Sequence, residues 1–181
     1  MKQFIPIIGI ILLVSLSRSC AYAYLPTYIV ERGGSLWMSG FAISIYFGAG
    51  IAGNYLGGAL HDRIGSKWVT AISLAGFSIF FTTTIFTTRF FQLFLIALMG
   101  IFAFMLMPTM MAMLAENNPE DRSLTNGLFL GLSYGLVAVE GVLVGYLLDH
   151  YDTVPVFLFC AGLALISVFL VPLLKDKPLT A

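Results

Sequence analysis

The chain has 181 residues and no net charge, with 59% apolar and only 10% charged side chains and a mean hydropathy of +0.96. Soluble domains carry about 25% charged residues, and one of this size still leaves roughly 30% of its extended-chain surface wet, which excludes a water-soluble enzyme and a disordered chain. The neutral balance gives no electrostatic footprint for a nucleic-acid partner, so the expected surroundings are a lipid bilayer.

A spanning helix takes about 20 mostly apolar residues. Six stretches reach that length: 4–29, 36–60, 68–87, 90–114, 124–148 and 154–174. The first contains Ala21-Tyr22-Ala23, which imitates a signal-peptide cleavage site. Its apolar run continues through Tyr24 to Ile29 and Arg18 precedes the site, so a spanning helix is expected rather than a cleaved leader. Short polar breaks separate the stretches, with Gly33-Gly34 and Asn118-Pro119 as turn signals. The expectation is an all-α fold: one domain over residues 1–181, a bundle of six transmembrane helices. With a cytoplasmic N-terminus, Lys2, Arg63, Lys67, Arg122, Lys175 and Lys177 fall inside, against Arg32 and Arg89 outside. The excess of inside cations predicts both termini cytoplasmic in a plasma or bacterial inner membrane. Cys20 and Cys160 fall in apolar stretches and read as packing residues, without metal-ligand spacing.

The halves resemble each other. A shift of 87 residues lays Gly40, Gly48, Leu56, Gly58, Leu60 and Asp62 on Gly127, Gly135, Leu143, Gly145, Leu147 and Asp149. Three helices per copy turn the second copy upside down, so a 3+3 inverted repeat is expected, with copies at about 4–87 and 90–174. Such repeats are typical of secondary transporters, whose sites lie at the midplane between copies.

The connection between the second and third stretches reads Gly58-Ala59-Leu60-His61-Asp62-Arg63-Ile64-Gly65-Ser66-Lys67. It resembles the G-x-x-x-D-R-x-G-R-K signature of the major facilitator superfamily, in the place where that family carries it. Ser66 departs, since the family prefers Arg or Lys there. Pro108, Ala115-Glu116, Pro119, Arg122 and Asn126 to Phe129 look like the fourth-to-fifth helix junction of a C-terminal half. The Ser-Arg of the first helix, the Gly-Leu-Phe-x-Gly opening of the fifth and Gly145 to Asp149 are most similar to the fosmidomycin-resistance-type exporters.

The resemblance implies secondary active transport, with no enzymatic activity and no cofactor, by one six-helix half of the family's usual twelve helices. The partners it implies are the bilayer, a second half (another copy or a separate N-terminal half), a small-molecule substrate and protons. It implies a conformational latch role for Gly58, Asp62, Arg63, Gly65 and Lys67, with Glu116 and Arg122 on the same membrane face as candidate charge partners. The alternative is a membrane interaction subunit without transport, or a fragment inactive without its other half.

Two charges lie well inside spans: Arg18 and Glu140. Such residues are costly in hydrocarbon and usually face a bundle interior or a cavity. Arg18 is 14 residues past Phe4 and Glu140 is 16 past Leu124, so their depths differ by about 3 Å. The family fold places the first and fifth helices side by side. Two readings stand: an ion pair that fixes packing, or an Arg18 that holds an anionic substrate group beside a proton-exchanging Glu140. Ser15, Ser19 and Tyr22 surround Arg18 at helical spacing, and six of the eight methionines lie on the fourth helix, either as core or as an adaptable cavity wall. Stripes of small residues run along the second helix (Gly50, Gly53, Asn54, Gly57, Gly58) and the fifth (Gly127, Gly131, Gly135, Gly141, Gly145). They suit close helix contact and are assigned to the face toward the second half, with packing within the bundle as the alternative. Gly131-Leu132-Ser133-Tyr134-Gly135 matches a hydrolase motif, but it is mid-helix with no histidine at its depth.

Overall fold

A computed structural model describes residues 4–117 and 122–174. Its helices are α1 (Phe4–Glu31), α2 (Leu36–Ile64), α3 (Ser66–Ile85), α4 (Arg89–Asn117), α5 (Arg122–His150) and α6 (Thr153–Val168), followed by a 3-10 turn at Val171–Leu173. Six of the elements are long and apolar enough to cross a membrane. No strand occurs among the described residues.

The packing is layered. α3 and α6 lie against each other and form the back of the bundle, α3 also packing on α4 and α6 on α1. In front, α2 packs on α4 and α5 on α1, while α1 touches α2 and α4 touches α5. Exchanging α1, α2, α3 for α4, α5, α6 maps the α3–α6 pair onto itself and each of the other pairs onto another in the set. The back is tied by hydrogen bonds from Ser78 to the Ala161 carbonyl (2.8 Å) and from Ser17 to the Cys160 carbonyl (2.5 Å). Phe77, Phe81, Phe157 and Tyr28 stack in sequence between them, with centroids 5.2–5.6 Å apart.

Two boundaries depart from the expected ones. The signature was expected as a loop, yet α2 carries it as helix through Ile64, and the break is confined to Gly65 at φ 83°. That left-handed conformation suits glycine, and α3 starts on the next residue, Ser66. At the other end α6 stops at Val168 and tightens into the 3-10 turn, because Pro172 disfavours α geometry in the residue before it and offers no N–H.

The glycine stripes also divide. Gly50, Gly53 and Gly57 are buried on α2 where it crosses α4. A Cβ on Gly53 would overlap the carbonyl oxygen of Ile101, one on Gly57 that of Met105, and one on Gly100 of α4 that of Tyr46. This stripe is therefore internal packing, and its assignment to a partner face is corrected. On α5, by contrast, a Cβ on Gly127, Gly131, Gly135 or Gly141 would meet nothing within 4 Å. The methionines divide in the same way. Met99, Met105 and Met113 are core, whereas Met107 and Met110 line a cavity.

Candidate functional site

The four front helices enclose a cavity of about 430 Å³, within the range of roughly 300–1,000 Å³ typical of small-molecule sites. α1 contributes Ser15, Arg18, Ser19 and Tyr22; α2 contributes Phe47 and Asn54; α4 contributes Phe104, Met107 and Met110; α5 contributes Phe129, Ser133 and Tyr134. α3 and α6 contribute nothing to it. Ser133, the centre of the hydrolase-like motif, is one wall residue on a continuous helix.

Arg18 is the only charged residue in the lining among the described residues. Its guanidinium carbon sits 5.1 Å from the centroid of the Phe104 ring, a cation–π contact worth on the order of 1 kcal/mol and more when desolvated. Phe104 is braced in turn by Tyr46 and Phe47 at 5.6 and 5.7 Å. With one face of the guanidinium capped by the ring, its in-plane N–H groups are the part left to bind. The Nε is buried without a hydrogen-bond partner, and no carboxylate pairs with Arg18 among the described residues.

Glu140 is close by but not in the cavity wall. It is 4% exposed and stands behind Ser15 and Ser19. Ser19 donates to its Oε2 at 2.9 Å and Ser15 donates to its Oε1. The sequence put Arg18 and Glu140 on facing helices at one depth, and α1 does pack on α5. The contact, however, is serine to carboxylate rather than arginine to carboxylate. Tyr24 adds a further α1–α5 tie, donating to the Gly141 carbonyl at 3.0 Å.

Sequence reasoning assigned Ser15 and Ser19 only to a polar wall. Their i, i+4 spacing around Arg18 was the available signal for a clamp on one group of a facing helix. Phe104 was missed altogether, since nothing local distinguishes it from the other residues of its helix, while Asn54 was read only as part of the small-residue stripe and Tyr134 only as part of the hydrolase-like motif.

At the far end of α2 the signature residues are spread out. Asp62 and Arg63 are exposed and form no ion pair among the described residues. Gly58 has open space where a Cβ would be. Lys67 turns to the back of its own bundle and donates to the Pro172 carbonyl at 3.0 Å. Ser66, the departure from the signature, is buried with its hydroxyl 3.1 Å from Nδ1 of His61. The side chains of Glu116 and Arg122 lie outside the described residues.

The cavity between paired helices, the signature at the end of α2 and the six spans together define an integral membrane transporter. Residues 7–180 match the family model of the Major Facilitator Superfamily, and the chain belongs to that family. Its members are membrane transporters rather than enzymes. The match reaches the superfamily and no single branch of it, so the likeness to fosmidomycin-resistance-type exporters gains no support. No curated protein matches the chain.

Proposed function

We propose that this chain is one half of a proton-coupled secondary transporter, an exporter by its branch resemblance, for a small anionic or amphiphilic molecule. It forms a single domain of two inverted copies, about 4–87 and 90–174. Arg18 holds the anionic group of the substrate and Glu140 carries the proton. One observation carries the reading: an intramembrane arginine faces a cavity of small-molecule size and, among the described residues, has no carboxylate paired to it. An unpaired cation is costly in the membrane unless a cavity ligand or water satisfies it. Met107, Met110 and Phe129 supply an adaptable apolar wall for the rest of the substrate.

The second half of the transporter packs over the front of α2 and α5. Exposed apolar residues there, such as Ile51, Tyr55, Leu128 and Val142, and the open glycines of α5 support that placement. Asp62 and Arg63, together with Gly58, Gly65 and Lys67, form the latch that binds the other half in one conformation. Asp62 and Arg63, exposed at the end of a front helix and in no ion pair among the described residues, suit such a reversible contact.

The reading is tested in liposomes that carry the reconstituted chain and an internal pH dye. With a pH gradient imposed, pooled organic anions should evoke proton movement in the wild type and none in Glu140→Gln. Anion-evoked proton movement that survives Glu140→Gln would overturn the assignment of Glu140.

Orientation has its own test. Cysteines at Ile64 and Tyr151, which are exposed, serve as labelling sites. Ile64→Cys should react with an impermeant thiol reagent from the cytoplasmic side only, and Tyr151→Cys from the opposite side only. Reversed labelling would invert the topology.

A further inference from the structure

The hydrogen bonds around Glu140 do more than hold it, and we infer that Ser15 is the proton port between the cavity and Glu140, by a step that rests on Glu140 being the proton carrier. Glu140 is not among the described residues that line the cavity, so the hydrogen-bonded route from cavity water to its carboxylate runs through α1. Ser15 and Ser19 are the two residues that both line the cavity and bond the carboxylate.

The two serines are not equivalent. A hydroxyl has one proton to donate and lone pairs to accept with. Ser15 has two acceptors for its proton, Oε1 of Glu140 and the Leu12 carbonyl at 3.3 Å. Ser19 has one, Oε2 of Glu140 at 2.9 Å. When Glu140 is ionised, both serines donate to it. When Glu140 is protonated on Oε1, the new O–H must donate, and Ser15 can accept it because its own proton has the Leu12 carbonyl to turn to. Ser19, whose hydroxyl in this rotamer has no acceptor besides Oε2 among the described residues, keeps donating to it. The hydrogen-bond network is thus complete in both protonation states, and only Ser15 changes direction.

The transfer balances. Hydronium in the cavity gives a proton to Ser15 Oγ while Ser15 gives its own proton to Oε1. Hydronium becomes water, the carboxylate becomes the neutral acid, and Ser15 ends as a hydroxyl that rotates toward Leu12. Release to the cavity is the reverse.

The charged and titratable groups around Glu140 are few. On α1, Arg18 acts on it through space, and Tyr24 is held by the neighbouring Gly141 carbonyl. α4 carries Arg89 and Glu116, both at its ends. α6 carries Cys160, which lies against Cys20. The side chains of Arg89 and Glu116 are outside the described residues, and among the others none bonds the carboxylate besides Ser15 and Ser19.

The test reads Glu140 directly and needs no substrate. Infrared difference spectra of the full chain in liposomes, after a pH jump, should show a carboxylic-acid band that is absent in Glu140→Gln. Ser15→Val and Ser15→Thr fill similar volumes and differ in the hydroxyl, so neither opens a gap for water that Ser15→Ala would. Ser15→Thr should keep the wild-type rate of band formation, and Ser15→Val should slow it by on the order of 100-fold. Ser19→Val should shift the pH midpoint of the band and leave its rate near wild type. Equal rates in Ser15→Val and Ser15→Thr, or a slowing confined to Ser19→Val, would overturn the port. Failure of the liposome assay with an intact Ser15 effect would instead remove the transport coupling and leave the port standing. A Glu140 band that never forms would remove both.

Discussion

Gly53→Leu is expected to prevent the bundle from folding, and Gly57→Leu to do nearly the same. At these positions α2 and α4 approach backbone to backbone, with the space for a Cβ already taken by the carbonyls of Ile101 and Met105. Even Gly53→Ala should cost about 1–3 kcal/mol by overpacking, seen as a lower midpoint of thermal unfolding in detergent. Gly131→Ala is the control. Its Cβ would meet nothing within 4 Å, and replacing a mid-helix glycine by alanine should stabilise by roughly 0.5–1 kcal/mol. In a bilayer, helices associate through close packing rather than through the hydrophobic effect, so an α2–α4 contact built on glycine has no apolar burial to fall back on. Equal midpoints for Gly53→Ala and Gly131→Ala would contradict this assignment.

The same glycines mark where sequence reading works and where it stops. Apolar run length found the six helices, because the bilayer thickness imposes one length on all of them. The signature residues found the family, because its glycines and charges recur at fixed spacing around the end of α2. Stripe glycines were visible too, but periodicity says only that one face is small. Whether that face meets α4 or another half depends on helix rotation, and no local rule sets rotation. For that reason one stripe proved internal and the other open. Arg18 and Glu140 were legible as a pair because charge within a span is rare and depth can be counted. Their actual relation was not legible. It turns on Ser15 and Ser19, whose hydroxyls occupy the carboxylate and leave the guanidinium to stack on Phe104, a residue that looks like any other on α4.

Arg18→Met is expected to abolish substrate binding, whereas Glu140→Gln should keep binding and lose accumulation. A guanidinium fixed on Phe104 can offer two parallel N–H groups to a substrate anion, and charged hydrogen bonds contribute about 1.5–3 kcal/mol each. Their loss should weaken binding by on the order of 100-fold or more, since each 1.4 kcal/mol is about tenfold. Arg18→Lys should recover little, because an ammonium matches neither the bidentate geometry nor the ring stacking. Glutamine at 140 has the shape of the protonated acid. Its carbonyl can accept from Ser19 and its amide can donate to Ser15, so the fold should change by less than about 1 kcal/mol. Counterflow exchange of labelled substrate should then persist in Glu140→Gln while uphill uptake driven by a pH gradient disappears. A structural ion pair makes the opposite demand. In that case either single change strands a buried charge at about 3–5 kcal/mol, and the double change Arg18→Met/Glu140→Leu recovers it. With the serines between them, the two residues should instead contribute to stability nearly additively, to within about 1 kcal/mol. Unfolding midpoints of the two single variants and the double variant measure this. A large stabilising coupling between Arg18 and Glu140 would make the pair a bolt rather than a site.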